Sequence, residues 1–212
     1  MKRSSSEFRV AARKALSGRW SQAAMFTFVY LLMALLIQFV VEGIAIAIGQ
    51  KQSIGSSIVS TFLVLPLSYA FLISILRVVR GGEFELSKLF TPYGDVRVYS
   101  TGILCHLYTF LWSLLLIIPG IIKFYSYAMT FYIISDDPTI EGNAAIEKSM
   151  AMMKGHKMEL FLLDLTFIGW ILVGIITLCI GFLWVGPYID AAHACFYESI
   201  KLDFEDESIA AE

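Results

Sequence analysis

The sequence predicts an all-α protein: a polytopic membrane helix bundle of about six transmembrane helices, with short cytoplasmic interfacial helices. Three observations predict it. The 212 residues are 58% hydrophobic and only 16% charged, where a soluble domain is nearer half apolar and a quarter charged. Mean hydropathy is +0.72. The apolar residues gather in long runs without alternation, which suits helices in lipid rather than barrel strands of about ten residues.

A span needs about 20 mostly apolar residues. The first run, 23–41, follows a basic start of Lys2, Arg3, Arg9, Arg13, Lys14 and Arg19. With Ala45-Ile46-Ala47 behind it, it mimics a signal peptide. It is longer than the usual apolar region of roughly 7–15 residues, so it reads as an uncleaved first helix. The second span, 54–79, holds Pro66, an expected kink. Residues 101–135 carry one lysine and are interrupted by Pro119-Gly120. As one helix they would reach about 50 Å, too far for a core of about 30 Å. Pro-Gly signals a turn, so the stretch divides into spans 102–118 and 121–135, with a span plus a re-entrant piece as the alternative. Residues 160–180 make the fifth span. The sixth, 182–200, contains Asp190, His193 and Glu198. Residues 1–200 thus form a single membrane domain. Residues 201–212, with Asp203, Glu205, Asp206, Glu207 and Glu212, make an acidic tail expected to be solvated and disordered.

Positive charge orients the bundle. The basic start, then Arg77, Arg80, Lys88 and Arg97, then Lys148, Lys154 and Lys157 all fall on the cytoplasmic side if the spans number six, with Lys51 alone in the first outer loop. This places both termini in the cytoplasm of a multi-pass protein of the cell membrane. Trp20, Tyr93, Tyr99 and Tyr197 then suit an inner aromatic belt, and Tyr125, Trp184 and Tyr188 an outer one.

The cytoplasmic segments read as amphipathic helices. Phe8, Ala11, Ala12, Ala15 and Leu16 share helical spacing. Asp137-Pro138 reads as an N-cap with Pro at the first helical position, ahead of a stripe of Ile146, Met150 and Met153. Such helices lie in the headgroup plane or pack beneath the bundle. A faint repeat accompanies them. Ala15-Leu16-Ser17-Gly18-Arg19-Trp20 precedes the first span and Met152-Met153-Lys154-Gly155-His156-Lys157 the fifth. Leu89-Phe90 and Gly94-Asp95-Val96-Arg97 precede the third more loosely. Each reads as a short helix, a glycine break, a basic residue and a transmembrane hairpin.

The run Phe110-Leu111-Trp112-Ser113-Leu114-Leu115-Leu116-Ile117-Ile118-Pro119-Gly120-Ile121-Ile122-Lys123 is distinctive. So are Asp136-Asp137-Pro138, Met153-Lys154-Gly155, Phe167-Ile168-Gly169-Trp170, Pro187-Tyr188 and Cys195-Phe196-Tyr197-Glu198. Together they resemble a family of bacterial integral membrane proteins, common in Firmicutes, that has no assigned activity. That family is distantly similar to the membrane domain attached to some glycerophosphodiester phosphodiesterases, whose catalytic barrel has no counterpart here. The resemblance implies membrane class and a bacterial source, and no chemistry.

Net charge is −2, which excludes a general basic field for nucleic acid. None of the motifs G-x-x-x-x-G-K-[ST], G-x-G-x-x-G, H-E-x-x-H or G-x-S-x-G occurs, so no cofactor is expected and enzymes rank last. Cys105, Cys179 and Cys195 lie in apolar runs and read as packing residues. The polar centre that stands out is Asp190 with His193, three apart on one helix face. Counted from Phe182, they lie about 12 and 16 Å deep. A charge there costs on the order of 2.5–3.5 kcal/mol, which something must offset. His106, Lys123 and Asp164 are the candidate partners. Asp164 can also take Lys157 or His156, and Lys123 can snorkel to the outer headgroups. The centre reads as a packing clasp, as a transport or relay site, or as a metal site, for which two ligands are too few.

Two functions from different classes follow. A non-enzymatic membrane protein would bind or translocate a small molecule, ion or lipid through this centre. An accessory or scaffold protein, in envelope stress or membrane-protein assembly, would hold a membrane-protein partner. A membrane-embedded lipid enzyme needs a nucleophile and base at one depth, and no such pair is evident.

Overall fold

Ser4 opens the first helix, accepting from the Ser6 N–H through its side chain. The structure is a computed structural model that describes residues 4–49 and 54–210. Lys2, Arg3, Lys51 and Glu212 lie outside the described residues. Helix α1 (Ser5–Ala15) is amphipathic, as its spacing predicts: Phe8, Ala12 and the following Leu16 are buried, while Arg13 and Lys14 face out. Gly18, at φ +76°, turns the chain into α2. Only glycine takes that left-handed conformation without strain.

Three helical hairpins follow. The first joins α2 (Trp20–Ala47) to α3 (Ile54–Val79). α2 is longer at both ends than the expected 23–41. Pro66 lies inside α3, and the Tyr93 hydroxyl donates to the Leu63 carbonyl at 3.0 Å, one residue past the carbonyl that Pro66 leaves free.

Two short 3₁₀ turns, Leu86–Leu89 and Thr91–Gly94, lead into the second hairpin. Its arms are α4 (Val96–Leu115) and the pair α5 (Ile117–Tyr127) and α6 (Thr130–Asp136). Asp95 caps α4 by accepting from Arg97 N–H at 3.0 Å. The reversal comes at Leu116, not at Pro119-Gly120. Proline is tolerated in a first helical turn, whose N–H groups have no partner within the helix. Pro119 sits in the first turn of α5, and Gly120 lets the arms close, since a Cβ there would meet Ser113 Oγ at 2.6 Å.

Asp137 does not cap the next helix. It closes a turn, accepting from Thr139 N–H at 2.9 Å, and the Thr139 hydroxyl and N–H hold its carboxyl below the usual range. α7 (Gly142–Met152) starts later and buries Ile146 and Met152 against the second hairpin. Gly155, at φ +92°, then turns the chain into the third hairpin. One arm is α8 (Lys157–Leu165) and α9 (Ile168–Ile176), which break the expected 160–180 span at Thr166-Phe167. The other is α10 (Phe182–Ala210), with Pro187 inside it. α10 continues through most of the acidic segment that composition marks as disordered.

Among the described residues every element is helical. Among the described residues, four helices or helix pairs are long and apolar enough to cross a membrane: Trp20–Ala47, Gly55–Val79, Ile117–Asp136 and Lys157–Ile176. Of the six spans expected, α4 and α10 are long enough but more polar, and they are not among these four. The core lies at one end of the hairpins. There Phe26, Phe71, Ile75, Met129, Tyr132, Phe167, Tyr188 and Phe196 are buried together with α1 and α7. The opposite hairpin ends expose Phe39, Ile48, Leu114, Ile117, Ile176 and Leu178. A surface so apolar suits hydrocarbon rather than water.

Candidate functional site

Asp164 on α8 accepts at 2.6 Å from His193 Nε2 on α10. Its second oxygen accepts at 2.9 Å from the Tyr125 hydroxyl on α5. Helical order puts the three together. Tyr125 packs edge-on against Phe161, one turn before Asp164, with ring centroids 5.9 Å apart. A carboxylate only accepts, so Nε2 carries the hydrogen, and Nδ1 of the neutral ring is an acceptor. The His193 and Asp164 side chains keep 25% and 30% of their exposure. By helical rise the pair stands about 16–18 Å from the turn at 177–181.

Asp190 lies one turn earlier on α10 and is half-buried. Among the described residues no donor bonds its carboxylate; its electrostatic partner is His193. Tyr132, 1% exposed, stacks on Tyr197 at 4.9 Å and within the electrostatic influence of Asp190. Among the described residues its buried hydroxyl has no partner. The centre therefore comprises a paired carboxylate, an imidazole, an open carboxylate and an unpaired hydroxyl.

Two expected members lie elsewhere. Lys123 does not snorkel outward. Its ammonium sits 4.9 Å above the Trp112 ring and 3.6 Å from Met150 Sδ, beneath α7. His106 bonds the Gly102 carbonyl at 2.7 Å through Nδ1 and lines a groove between α2, α3 and α4. Lys157 and His156 do not meet Asp164; His156 pairs with Glu159 at 3.2 Å. Two aromatic assignments also change. Tyr188 packs 5.9 Å from Trp20 and bonds the Arg9 carbonyl, so the two rings cannot mark opposite faces. Tyr125 is taken by Asp164. Cys179 lies exposed in the α9–α10 turn at φ +68°, not in a helix. Among the described residues, no group of three His, Cys, Asp or Glu side chains could hold a metal.

Sequence reasoning missed a second polar cluster. Arg80, just past α3, bonds both oxygens of Asp136 at 2.7 and 2.8 Å. It also reaches Glu198 at 2.6 Å. Asp136 further accepts from Tyr197 at 2.9 Å and Lys201 at 2.7 Å. Hydrogen bonding to Asp136 holds the Arg80 guanidinium above its ordinary value, against the cost of burial. These groups end or continue α3, α6 and α10, the return arms of the three hairpins. The available signal was an Arg and an Asp each ending an apolar run, with Glu198 inside another.

A family model described as "Protein of unknown function (DUF975)" matches residues 1–130 and 96–203. The chain belongs to that family. The DUF975 matches take in all three hairpins, Tyr125, the Asp164–His193 pair and the Arg80–Asp136 cluster. No curated protein and no solved structure matches the chain.

Proposed function

We propose that this DUF975 protein is a non-enzymatic, multi-pass protein of a bacterial cell membrane, with six spans and both termini cytoplasmic. It binds and translocates a small molecule, ion or lipid through the centre of Asp164, His193, Tyr125 and Asp190. The observation that carries this reading is the 2.6 Å Asp164–His193 contact, which keeps partial exposure about halfway along the third hairpin. A clasp serving packing alone gains most when dry, because water weakens it. This one keeps partial exposure, and an open carboxylate lies a turn away. The pair lies at the packed end of the hairpins, between the Tyr188–Arg9 bond and the Phe8–Phe196 contact along α10, and ionisable groups inside a membrane bundle mark substrate and proton paths. His193 would pass a proton through Nδ1 while Asp164 holds Nε2 and Tyr125 holds Asp164. The six-span topology is supported by the lengths of α4 and α10, 20 and 29 residues, and by the basic residues before each hairpin. The bacterial source rests on the motifs quoted above.

The test is native mass spectrometry of gently extracted wild type beside Asp190→Asn/His193→Ala. A discrete small-molecule, ion or lipid adduct in wild type, lost from a still-folded double variant, is the expected result. A second protein retained equally by both would refute the polar centre and favour a scaffold role.

A further inference from the structure

Arg77 lies in the last turn of α3, three residues before Arg80. The other guanidinium groups around it are satisfied. Arg19 donates to the Gly82 carbonyl, Arg80 to Asp136 and Glu198, and Arg97 to Asp95 and the Pro138 carbonyl. Arg77 is not. Among the described residues its buried Nη1 has no hydrogen-bond partner, and the Glu85 carboxylate stands 4.0 Å off. Glu85 is exposed and is shared with Lys88, at 3.9 Å. Packing holds the arginine in place. The Gly82 N–H donates to the Arg77 carbonyl at 2.9 Å, and a Cβ on Gly82 would meet Arg77 Cγ at 2.7 Å, so the stem lies against the glycine.

A pocket of about 270 Å³ opens there, between α3 and the two 3₁₀ turns. Its polar lining is Arg77, Lys88, Thr91, Tyr69, Ser74 and Asp95. Asp95 brings no free charge, because its two oxygens accept from Arg97 at 3.1 and 2.7 Å. Ser74 spends its hydrogen on the Ala70 carbonyl at 2.8 Å. Among the described residues the Lys88 ammonium and the Thr91 hydroxyl make no hydrogen bond. The pocket therefore sets two cations against one loosely placed carboxylate, and its unspent groups can all donate.

We propose that this pocket binds a phosphate group, carried by an anionic lipid or by a soluble ion. Arg77 meets it through a planar fork of donors, Lys88 adds a compact charge and Thr91 a neutral donor. A carboxylate offers oxygens in one plane, whereas a phosphate offers three or more in a tetrahedral array, which suits donors set on separate elements. The site shares no residue with the Asp164–His193 centre.

The full chain in detergent is titrated with phosphatidylglycerol, or with phosphatidylcholine as the zwitterionic control, and followed by native mass spectrometry. Radiolabelled inorganic phosphate is followed by equilibrium dialysis. Arg77→Gln/Lys88→Gln should bind the preferred anion roughly tenfold more weakly than wild type. Lys14→Gln/Lys154→Gln removes the same charge from two exposed sites outside the pocket and should bind like wild type. Lys88 is exposed, so Lys88→Gln alone should keep the fold and still weaken binding. Uptake of phosphatidylglycerol but not inorganic phosphate assigns the pocket to a headgroup, and the reverse to a soluble ion. Equal loss in the two double variants, unchanged binding by Arg77→Gln/Lys88→Gln and Lys88→Gln, equal uptake of phosphatidylcholine, or a wild type that takes up neither anion would overturn the proposal.

Discussion

Asp136→Asn tests the cluster that joins the three hairpins. The substitution keeps the shape and removes the charge that Arg80, Tyr197 and Lys201 all address. Breaking a buried ion pair by removing one partner costs about 3–5 kcal/mol. The Asp136 side chain is only 15% exposed, but Arg80 and Lys201 are 37% and 30% exposed and can turn to water. Arg80 also keeps Glu198. The discounted cost is about 2 kcal/mol, or roughly 4–8 °C for a chain of this size. Glu198→Gln, at a position 34% exposed and bonded to Arg80 alone, should cost about half as much. Unfolding is followed by intrinsic fluorescence in one detergent at one scan rate, with Arg80→Gln completing a double-mutant cycle. Asp136→Asn and Arg80→Gln should be strongly non-additive. An Asp136→Asn midpoint within a degree of wild type, or a larger loss at Glu198→Gln, would refute the reasoning.

Other substitutions probe single elements. Gly120→Ala would set a Cβ 2.6 Å from Ser113 Oγ and 2.9 Å from Ser113 Cα, costing about 1–3 kcal/mol of stability in the same unfolding assay. Ser113→Ala should rescue only part of that loss, because the backbone contact remains. Gly18→Ala and Gly155→Ala meet nothing within 4 Å but force alanine into left-handed backbone, so each should cost about 1–2 kcal/mol and asparagine less. Ser149→Ala removes a buried bond to the Ser126 carbonyl, 2.8 Å long, and should cost about 1 kcal/mol. The readout is faster proteolysis within 137–156. Tyr125→Phe takes one donor from Asp164 and should leave the fold intact while weakening any adduct at the centre; an unchanged adduct would remove Tyr125 from the site.

The repeat seen as Leu16-Ser17-Gly18 and Met153-Lys154-Gly155 has a physical basis. Both glycines adopt left-handed backbone, and Leu16 and Met153, like Leu89 in the looser copy, are fully buried. Each copy anchors a short element in the core and then turns the chain into a hairpin. Arg80, Asp136 and Glu198 tie the return arms together at that same end. The resulting frame is packed and ion-paired at its base and apolar at its tips.

Composition by itself determined the all-helical class and the long apolar helices, because lipid leaves the backbone no other open-ended way to satisfy its hydrogen bonds. Ile54–Val79, the amphipathic α1 and the hairpin near Pro119-Gly120 were legible for the same local reasons, since periodicity and turn chemistry act over a few residues. Partnership was legible only as a choice, with His106, Lys123 and Asp164 all candidates for Asp190 and His193. Asp190 and His193 share a face by spacing alone, but His193 turns to Asp164, 29 residues away, because α8 and α10 pack there. Lys123 is roofed by α7, and Tyr188 meets Trp20, because the chain folds short helices back against the hairpins. A charge pattern along one dimension names the groups that need partners. Only the tertiary structure decides which partner comes within 3 Å, because the contact energy depends on distances set by packing between elements far apart in the chain.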